Sequence, residues 1–127
     1  MIKHPPKLLV ADDSAANREM MSETLRHAPI EILCAKNGIE AVEIASKNKL
    51  FLVFMDINMP GIDGIEASRR IHNLDHHSNL PVIFITGSTE PDNIDQCYHA
   101  GGVDFITKPY NERILIAKTK IFLQLHH

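Results

Sequence analysis

Five short apolar segments alternate along the chain with segments that carry helix signals, and this alternation constrains the fold more than any other feature. The apolar segments are rich in Val, Ile, Leu and Phe and do not alternate with polar residues. They are Lys7–Ala11, Ile30–Ala35, Phe51–Met55, Val82–Thr86 and Val103–Thr107. Continuous apolar runs of this length are typical of strands that are buried on both faces of a parallel sheet.

The segments between the predicted strands begin and end with helix signals. Predicted helix starts lie at Ser14, Asn37, Asp63, Pro91 and just after Pro109. The predicted apolar positions are Ile39, Val42 and Ile44 in the second helix and Ile65, Ala67 and Ile71 in the third. Strict alternation of strand and helix predicts an α/β fold, a doubly wound three-layer sandwich with right-handed crossovers. Since no linker, repeat or low-complexity tract is visible, residues 1–127 are expected to form a single domain.

Composition and charge argue against several classes of protein. The net charge of −3 and the lack of a basic stripe predict no direct binding to nucleic acid. No apolar run approaches the roughly 20 residues that cross a bilayer, so no membrane contact is expected. The first residues lack the pattern of a secretory signal, and two cysteines, Cys34 and Cys97, are too few for a disulfide framework. A cytoplasmic location is therefore expected.

Two local patterns carry further expectations. Both cysteines fall in segments that are predicted to form the core. The histidine-rich stretch HNLDHHSNLP, residues 72–81, is predicted to be a solvated surface loop rather than a metal site.

Charged and polar side chains lie at the ends of four of the predicted strands or directly after them. Because ligands of open α/β sheets bind at the carboxyl ends of the strands, these side chains should converge at one edge. They are Asp12, Asp13, Asp56, Thr86 and Lys108. Two carboxylates about 4 Å apart repel by on the order of 4 kcal/mol, so such a cluster either holds protons or binds a cation. Oxygen ligands favour Mg²⁺ or Mn²⁺ over Zn²⁺.

This set of groups is suited to phosphoryl transfer. A carboxylate is already a competent nucleophile, and the reaction chiefly needs positioning and neutralisation of the phosphoryl oxygens. The cation, the Lys108 ammonium and the Thr86 hydroxyl could each serve one oxygen. Taken singly, the same residues could be a helix cap, a turn, a strand end and a loop lysine; their joint placement favours one site.

Four segments resemble the receiver domains of two-component response regulators, a family with a flavodoxin-like and chemotaxis-regulator-like fold. They are LLVADDS, FMDINMPGIDG, VIFITGS and GGVDFITKPY, and with the helix spacings they cover essentially the whole chain. The resemblance implies a central five-stranded parallel sheet with strand order 2-1-3-4-5. It also implies that Asp56 accepts a phosphoryl group from a phosphohistidine on a sensor histidine kinase or histidine phosphotransfer protein.

The resemblance further implies the metal ligands. Asp13 and Asp56 would bind Mg²⁺ together with the backbone carbonyl of Asn58. Asp12 would act mainly through a bridging water.

The resemblance also implies a phosphoryl-binding switch. Lys108 would contact the phosphoryl group, and Thr86 would move to bond it while the ring of Phe105 turns inward. Gly87 stands where alanine is commoner in the family and leaves room for the phosphoryl group. The peptide bond between Lys108 and Pro109 is expected to be cis. The signal would then pass to the face formed by the fourth helix, fifth strand and fifth helix, with no enzymatic role beyond self-phosphotransfer and slow autodephosphorylation.

Alternative interpretations remain open at this stage. Asp56-Ile57-Asn58 faintly resembles the nucleophile motif of haloacid-dehalogenase-like phosphohydrolases, although the usual acid-base carboxylate is absent. A flavodoxin-like electron carrier would share the fold class, but no phosphate loop rich in Gly, Ser or Thr follows the first strand.

The sequence also leaves the partner surfaces open. The last helix could continue into an effector or kinase module, or the chain could be a single-domain regulator. Asn17, Met20 and Met21 could contact the donor protein, with core packing as an equal alternative for a methionine.

Overall fold

The computed structural model describes residues 4–87 and 91–126, with backbone alone for 91–93. Strands and helices alternate throughout these residues. The strands are β1 Lys7–Ala11, β2 Glu31–Ala35, β3 Leu50–Asp56, β4 Val82–Thr86 and β5 Gly102–Thr107. The helices are α1 Ala15–Thr24, α2 Gly38–Lys47, α3 Gly64–His72, α4 Pro91–His99 and α5 Glu112–His126, with a short 3₁₀ helix at Asp75–His77. The strands pair in parallel in the order β2-β1-β3-β4-β5, which confirms the predicted fold class.

The central strands are buried on both faces, as their continuous apolar sequences predict. Every residue of β3 and of β4 is buried. Val53 and Met55 belong to one apolar cluster, and Leu52 and Phe54 belong to a second. Because successive side chains of a strand point to opposite faces, the two clusters cover the two faces of the sheet. The carboxyl end of β3 is therefore held between two packed layers.

Side-chain caps set the predicted starts of the first three helices. A side-chain oxygen accepts a backbone N–H in the first turn of each helix, and the caps are Ser14 for α1, Asn37 for α2 and Asp63 for α3. The predicted apolar face of α3 is also confirmed, since Ile65, Ala67 and Ile71 are buried.

Two predictions of burial are wrong. Ile39 of α2 is 54% exposed, and the buried face consists of Gly38, Ala41 and Ala45. Small residues face inward because the chain packs closely there: a Cβ on Gly38 would lie 2.6 Å from Ile62. Cys34 is exposed because β2 lies at the edge of the sheet. Cys97 is buried, as predicted.

The prediction that the histidine-rich stretch is a solvated loop is wrong in two respects: it contains a 3₁₀ helix and a buried His77, although Asn73, Asp75, His76, Ser78 and Asn79 are exposed. His77 is 2% exposed. The Nε2–H groups of His72, His76 and His77 donate to backbone carbonyls. The acceptors are Leu80, Ala45 and Asn48, at 2.8, 3.0 and 2.8 Å. The stretch is therefore a structural element that ties the end of α2 to the segment before β4.

This histidine cluster predicts a dependence of stability on pH. Burial lowers the pKa of His77 from its usual 6.5, although the hydrogen bond to the Asn48 carbonyl opposes the shift. A histidine with a lowered folded pKa contributes stability that is fully present above the unfolded pKa and is lost as the pH falls through it. We expect the free energy of unfolding to fall more between about pH 7.5 and about pH 5.5 in the unmodified protein than in His77→Gln. Urea denaturation at both pH values measures this. His99→Gln, at an exposed site, is the control, and equal losses in all three proteins would contradict the expectation.

Candidate metal and phosphoacceptor site

The register of the sheet brings the predicted site residues to one edge. Ala11 pairs with Met55, so Asp12 follows the end of β1 beside the end of β3. Asp56 pairs with Ile85, so Thr86 extends one residue further on β4. The ends of three adjacent strands thus meet at the carboxyl edge of the sheet.

Three carboxylates form a cluster at this edge. Ligand oxygens of Asp12, Asp13 and Asp56 all lie within 4.8 Å of one another. Asp12 and Asp56 are buried, whereas Asp13 is exposed. The cluster can therefore be reached from solvent on the Asp13 side. Carboxylate oxygens at this spacing fit a Mg²⁺ ion, which keeps several waters and takes one or two carboxylates.

The Asp12 carboxylate is held by the N-terminal turn of α1. The Ser14 N–H donates to Oδ1 over 2.8 Å, and the Asn17 side-chain amide donates to Oδ2 over 3.3 Å. The Arg18 guanidinium donates to the Asp12 carbonyl over 2.7 Å. These roles of Asn17 and Arg18 were not predicted from the sequence. Asn17 and Arg18 lie in the first turns of a helix that is capped by Ser14, and those turns face the end of the preceding strand. Their contacts with Asp12 could have been predicted from these positions.

Asp56 has a contact on each carboxylate oxygen. The Lys108 ammonium lies 3.2 Å from Oδ2, and the backbone N–H of Asn58 donates to Oδ1 over 3.2 Å. Lys108 is anchored by its own N–H, which donates to the Thr86 carbonyl over 2.8 Å. The Lys108–Pro109 peptide bond is cis. Four of the five predicted strand-end residues thus meet at one point, and Thr86 lies on the adjoining strand.

The electrostatics of the site disfavour the charge on Asp56. Burial raises the pKa of Asp56 from its usual value, and the Asp12 charge raises it further. Lys108 and the Asn58 N–H oppose this shift. Burial and the charges of Asp12 and Asp56 also raise the pKa of Tyr110 to about 12. The site therefore carries excess negative charge that a cation would relieve.

The raised pKa predicts that Asp56→Asn stabilises the metal-free protein. When the folded state raises the pKa of an acid, the free energy of unfolding falls as the pH rises above the unfolded pKa, here 3.8. At neutral pH the ionised Asp56 carboxylate therefore destabilises the folded protein. In EDTA near neutral pH we expect the Tm to rise by about 3–6 °C, on the order of 1 kcal/mol. Asp75→Asn, at an exposed site, should give no such gain. Thermal unfolding measures the effect, and a lower Tm for Asp56→Asn would contradict it.

The predicted switch residues lie on the β4–β5 side of the site. Thr86 is buried, and Gly87 next to it is exposed, with no atom of the described part of the chain within 4 Å of where its Cβ would be. Phe105 is half-buried and packs edge-on against Tyr98, with ring centroids 6.4 Å apart. Their roles in switching stay predictions.

Residues 8–120 match the sequence profile described as the response regulator receiver domain. The chain belongs to this family. The receiver domain is 36% identical over 117 residues to the phosphate regulon transcriptional regulatory protein PhoB of Pseudomonas aeruginosa. It is 33% identical over 117 residues to the CAI-1 autoinducer sensor kinase/phosphatase CqsS of Vibrio cholerae. The chemotaxis protein CheY4 of Vibrio cholerae superimposes with a TM-score of 0.88 at 28% identity, over 93% of this chain and 98% of that one.

The receiver domain matches only part of the curated relatives. The alignments cover 92% and 91% of this chain but 51% of PhoB and 17% of CqsS. Within residues 4–87 and 91–126, no helix has the length and apolar character that are needed to cross a membrane. The family acts in two-component signalling, so the phosphohydrolase and electron-carrier alternatives are not favoured.

Proposed function

We propose that this receiver domain accepts a phosphoryl group on Asp56 in a reaction that requires Mg²⁺, for which Mn²⁺ can substitute. One observation carries the proposal: the buried Asp56 carboxylate lies within reach of both the Lys108 ammonium and two further carboxylates. Burial and neighbouring negative charges both disfavour the ionised form of an acid, and a bound cation would stabilise it.

Asp12, Asp13, Asp56 and the Asn58 carbonyl would hold the ion. When bound, the ion supplies positive charge that neutralises phosphoryl oxygens.

The chain's own residues would perform the transfer. An Asp56 carboxylate oxygen attacks phosphorus, an O–P bond forms, and the N–P bond of the donor phosphohistidine breaks, leaving the electron pair on the imidazole. Lys108, already 3.2 Å from Asp56 Oδ2, moves to a phosphoryl oxygen. The Thr86 hydroxyl donates to another oxygen, and Gly87 leaves space beside it.

The proposed donor is a sensor histidine kinase or a histidine phosphotransfer protein. Met20 on α1 is 42% exposed and can contact such a donor, whereas Met21 is fully buried in the core. The proposed output surface is the face formed by α4, β5 and α5, where Phe105 packs on Tyr98. This residue pair would transmit the movement of Thr86 to the surface.

Residues 1–127 would form one receiver domain, and its relatives indicate the possible contexts. PhoB is a transcriptional regulator and CqsS is a sensor kinase, and both are much longer than the matched region. We therefore propose that an effector or kinase module can follow α5. The proposed location is the cytoplasm, in keeping with the free thiols of Cys34 and Cys97.

Labelling with a small phosphodonor tests the proposal. Incubation with acetyl phosphate and Mg²⁺, followed by intact mass spectrometry, should show an adduct of about 80 Da. EDTA should prevent the adduct. A protein that gains no adduct with acetyl phosphate or a phosphohistidine donor would contradict the proposed function.

A steady-state assay separates signalling from hydrolysis. In the phosphohydrolase interpretation an acid-base carboxylate would stand two residues after the nucleophile, but that residue is the exposed Asn58. We expect almost no turnover of phosphate esters. Sustained turnover that is lost in Asp56→Asn would favour the hydrolase.

A further inference from the structure

Asn17 is fixed by contacts on both its backbone and its side chain. Its N–H donates to the Ser14 hydroxyl oxygen over 3.2 Å, and its carbonyl lies 3.5 Å from the Tyr110 hydroxyl, which donates to it. Its side-chain amide donates to Asp12 Oδ2 over 3.3 Å. The backbone of Asn17 is thus placed by the helix cap and by the segment that follows Lys108, independently of the carboxylate that its side chain meets.

The orientation of Asp12 depends on this second donor. The terminal torsion of an aspartate side chain is broad, so a single hydrogen bond leaves the carboxylate plane free to turn. The Ser14 N–H holds Oδ1, and the Asn17 amide holds Oδ2. Asp12 is fully buried and is repelled by Asp56, so without the amide it would rotate away from its neighbour. A leucine could not donate here, and an aspartate would add repulsion.

We propose that Asn17 is a positioning residue, whose side-chain amide fixes the plane of the Asp12 carboxylate and so prepares the acid cluster for a divalent cation. It acts through Asp12 and is not itself a ligand. This inference rests on the proposed metal-dependent function and extends it to a residue outside the predicted ligand set. Partners that orient metal-binding side chains typically change metal affinity by about 10- to 100-fold when they are replaced.

Direct titration with Mn²⁺ tests the inference, with free Mn²⁺ followed by electron paramagnetic resonance. Asn17→Ala should bind Mn²⁺ at least about tenfold more weakly than the unmodified protein. Asn17→Leu, which keeps the bulk but lacks the donor, should behave alike. Asn73→Ala replaces an exposed asparagine next to α3 and should bind normally. At saturating Mg²⁺ the maximum rate of labelling by acetyl phosphate should recover in both Asn17 variants.

A purely structural role would give a different result. It would lower the Tm in EDTA and leave Mn²⁺ affinity within about twofold of the unmodified protein, which would overturn the inference. The two proposals can also fail separately. If the unmodified protein binds Mn²⁺ but gains no phosphoryl group, the proposed function fails while the affinity of Asn17→Ala still decides this inference. If the unmodified protein binds no Mn²⁺, the inference fails as well.

Discussion

Lys108→Ala is expected to slow the phosphorylation of Asp56 by about 100- to 1,000-fold, the usual effect of removing one charge-stabilising group from a transition state. The Lys108 ammonium lies 3.2 Å from Asp56 Oδ2. The backbone N–H of Lys108 donates to the Thr86 carbonyl, which fixes the position from which this side chain extends. It can therefore reach an incoming phosphoryl oxygen with little movement. The rate of adduct formation with acetyl phosphate at saturating Mg²⁺ measures the effect.

Two further variants make this result interpretable. Lys36→Ala removes an exposed lysine, next to α2, and should label at the normal rate. Lys108→Arg keeps the charge but changes its shape, so it should retain more activity than Lys108→Ala. A Lys108→Ala rate within about threefold of normal would show that the ammonium does not stabilise the transferring group.

Gly64→Ala is expected to destabilise the fold by about 3 kcal/mol or more, at the upper end of the usual effect of overpacking. A Cβ at this position would lie 2.2 Å from the carbonyl oxygen of Asp56. The obstacle is backbone, which cannot turn aside as a side chain could. Gly64 also donates its N–H to the Ile57 carbonyl over 2.9 Å, and α3 could not move away from Asp56 without breaking this hydrogen bond. Urea denaturation measures the loss.

Gly87→Ala is the matched control. Gly87 also belongs to the proposed phosphoryl site, but no atom of residues 4–87 and 91–126 lies within 4 Å of the position that its Cβ would occupy. This variant should unfold within about 0.5 kcal/mol of the unmodified protein. Equal stability of Gly64→Ala and Gly87→Ala would mean that the close approach of α3 to Asp56 does not constrain the site.

The sheet and the acidic cluster could be predicted because few alternatives fit their sequence signals. Residues 51–55 and 82–86 are continuously apolar, and a strand of that kind must be covered on both faces. Once the strands are parallel, the residues that follow them must share an edge, which brings Asp12, Asp56 and Lys108 together. The rule that the carboxyl ends of parallel strands share one edge was therefore sufficient to predict the cluster without knowledge of individual contacts.

Contacts that depend on packing between distant elements could not be predicted. His77 looks polar in sequence, but its ring is buried because the Asn48 carbonyl, 29 residues away, accepts its hydrogen bond. Ile39 looks like a core residue, but the close approach of Ile62 selects Gly38 for the inner face of α2. The hydrogen bond from Asn17 to Asp12 likewise depends on how α1 leaves the sheet. Periodicity and composition contain none of this information.

Locating the phosphoryl group within the labelled protein tests the central claim most directly. Borohydride reduces an aspartyl phosphate to homoserine, and peptide mass spectrometry then identifies the converted residue. After labelling with acetyl phosphate and Mg²⁺, we expect conversion at Asp56, with Asp12 and Asp13 unchanged. Conversion at Asp12 or Asp13, or a stable adduct on another residue with Asp56 intact, would contradict the account.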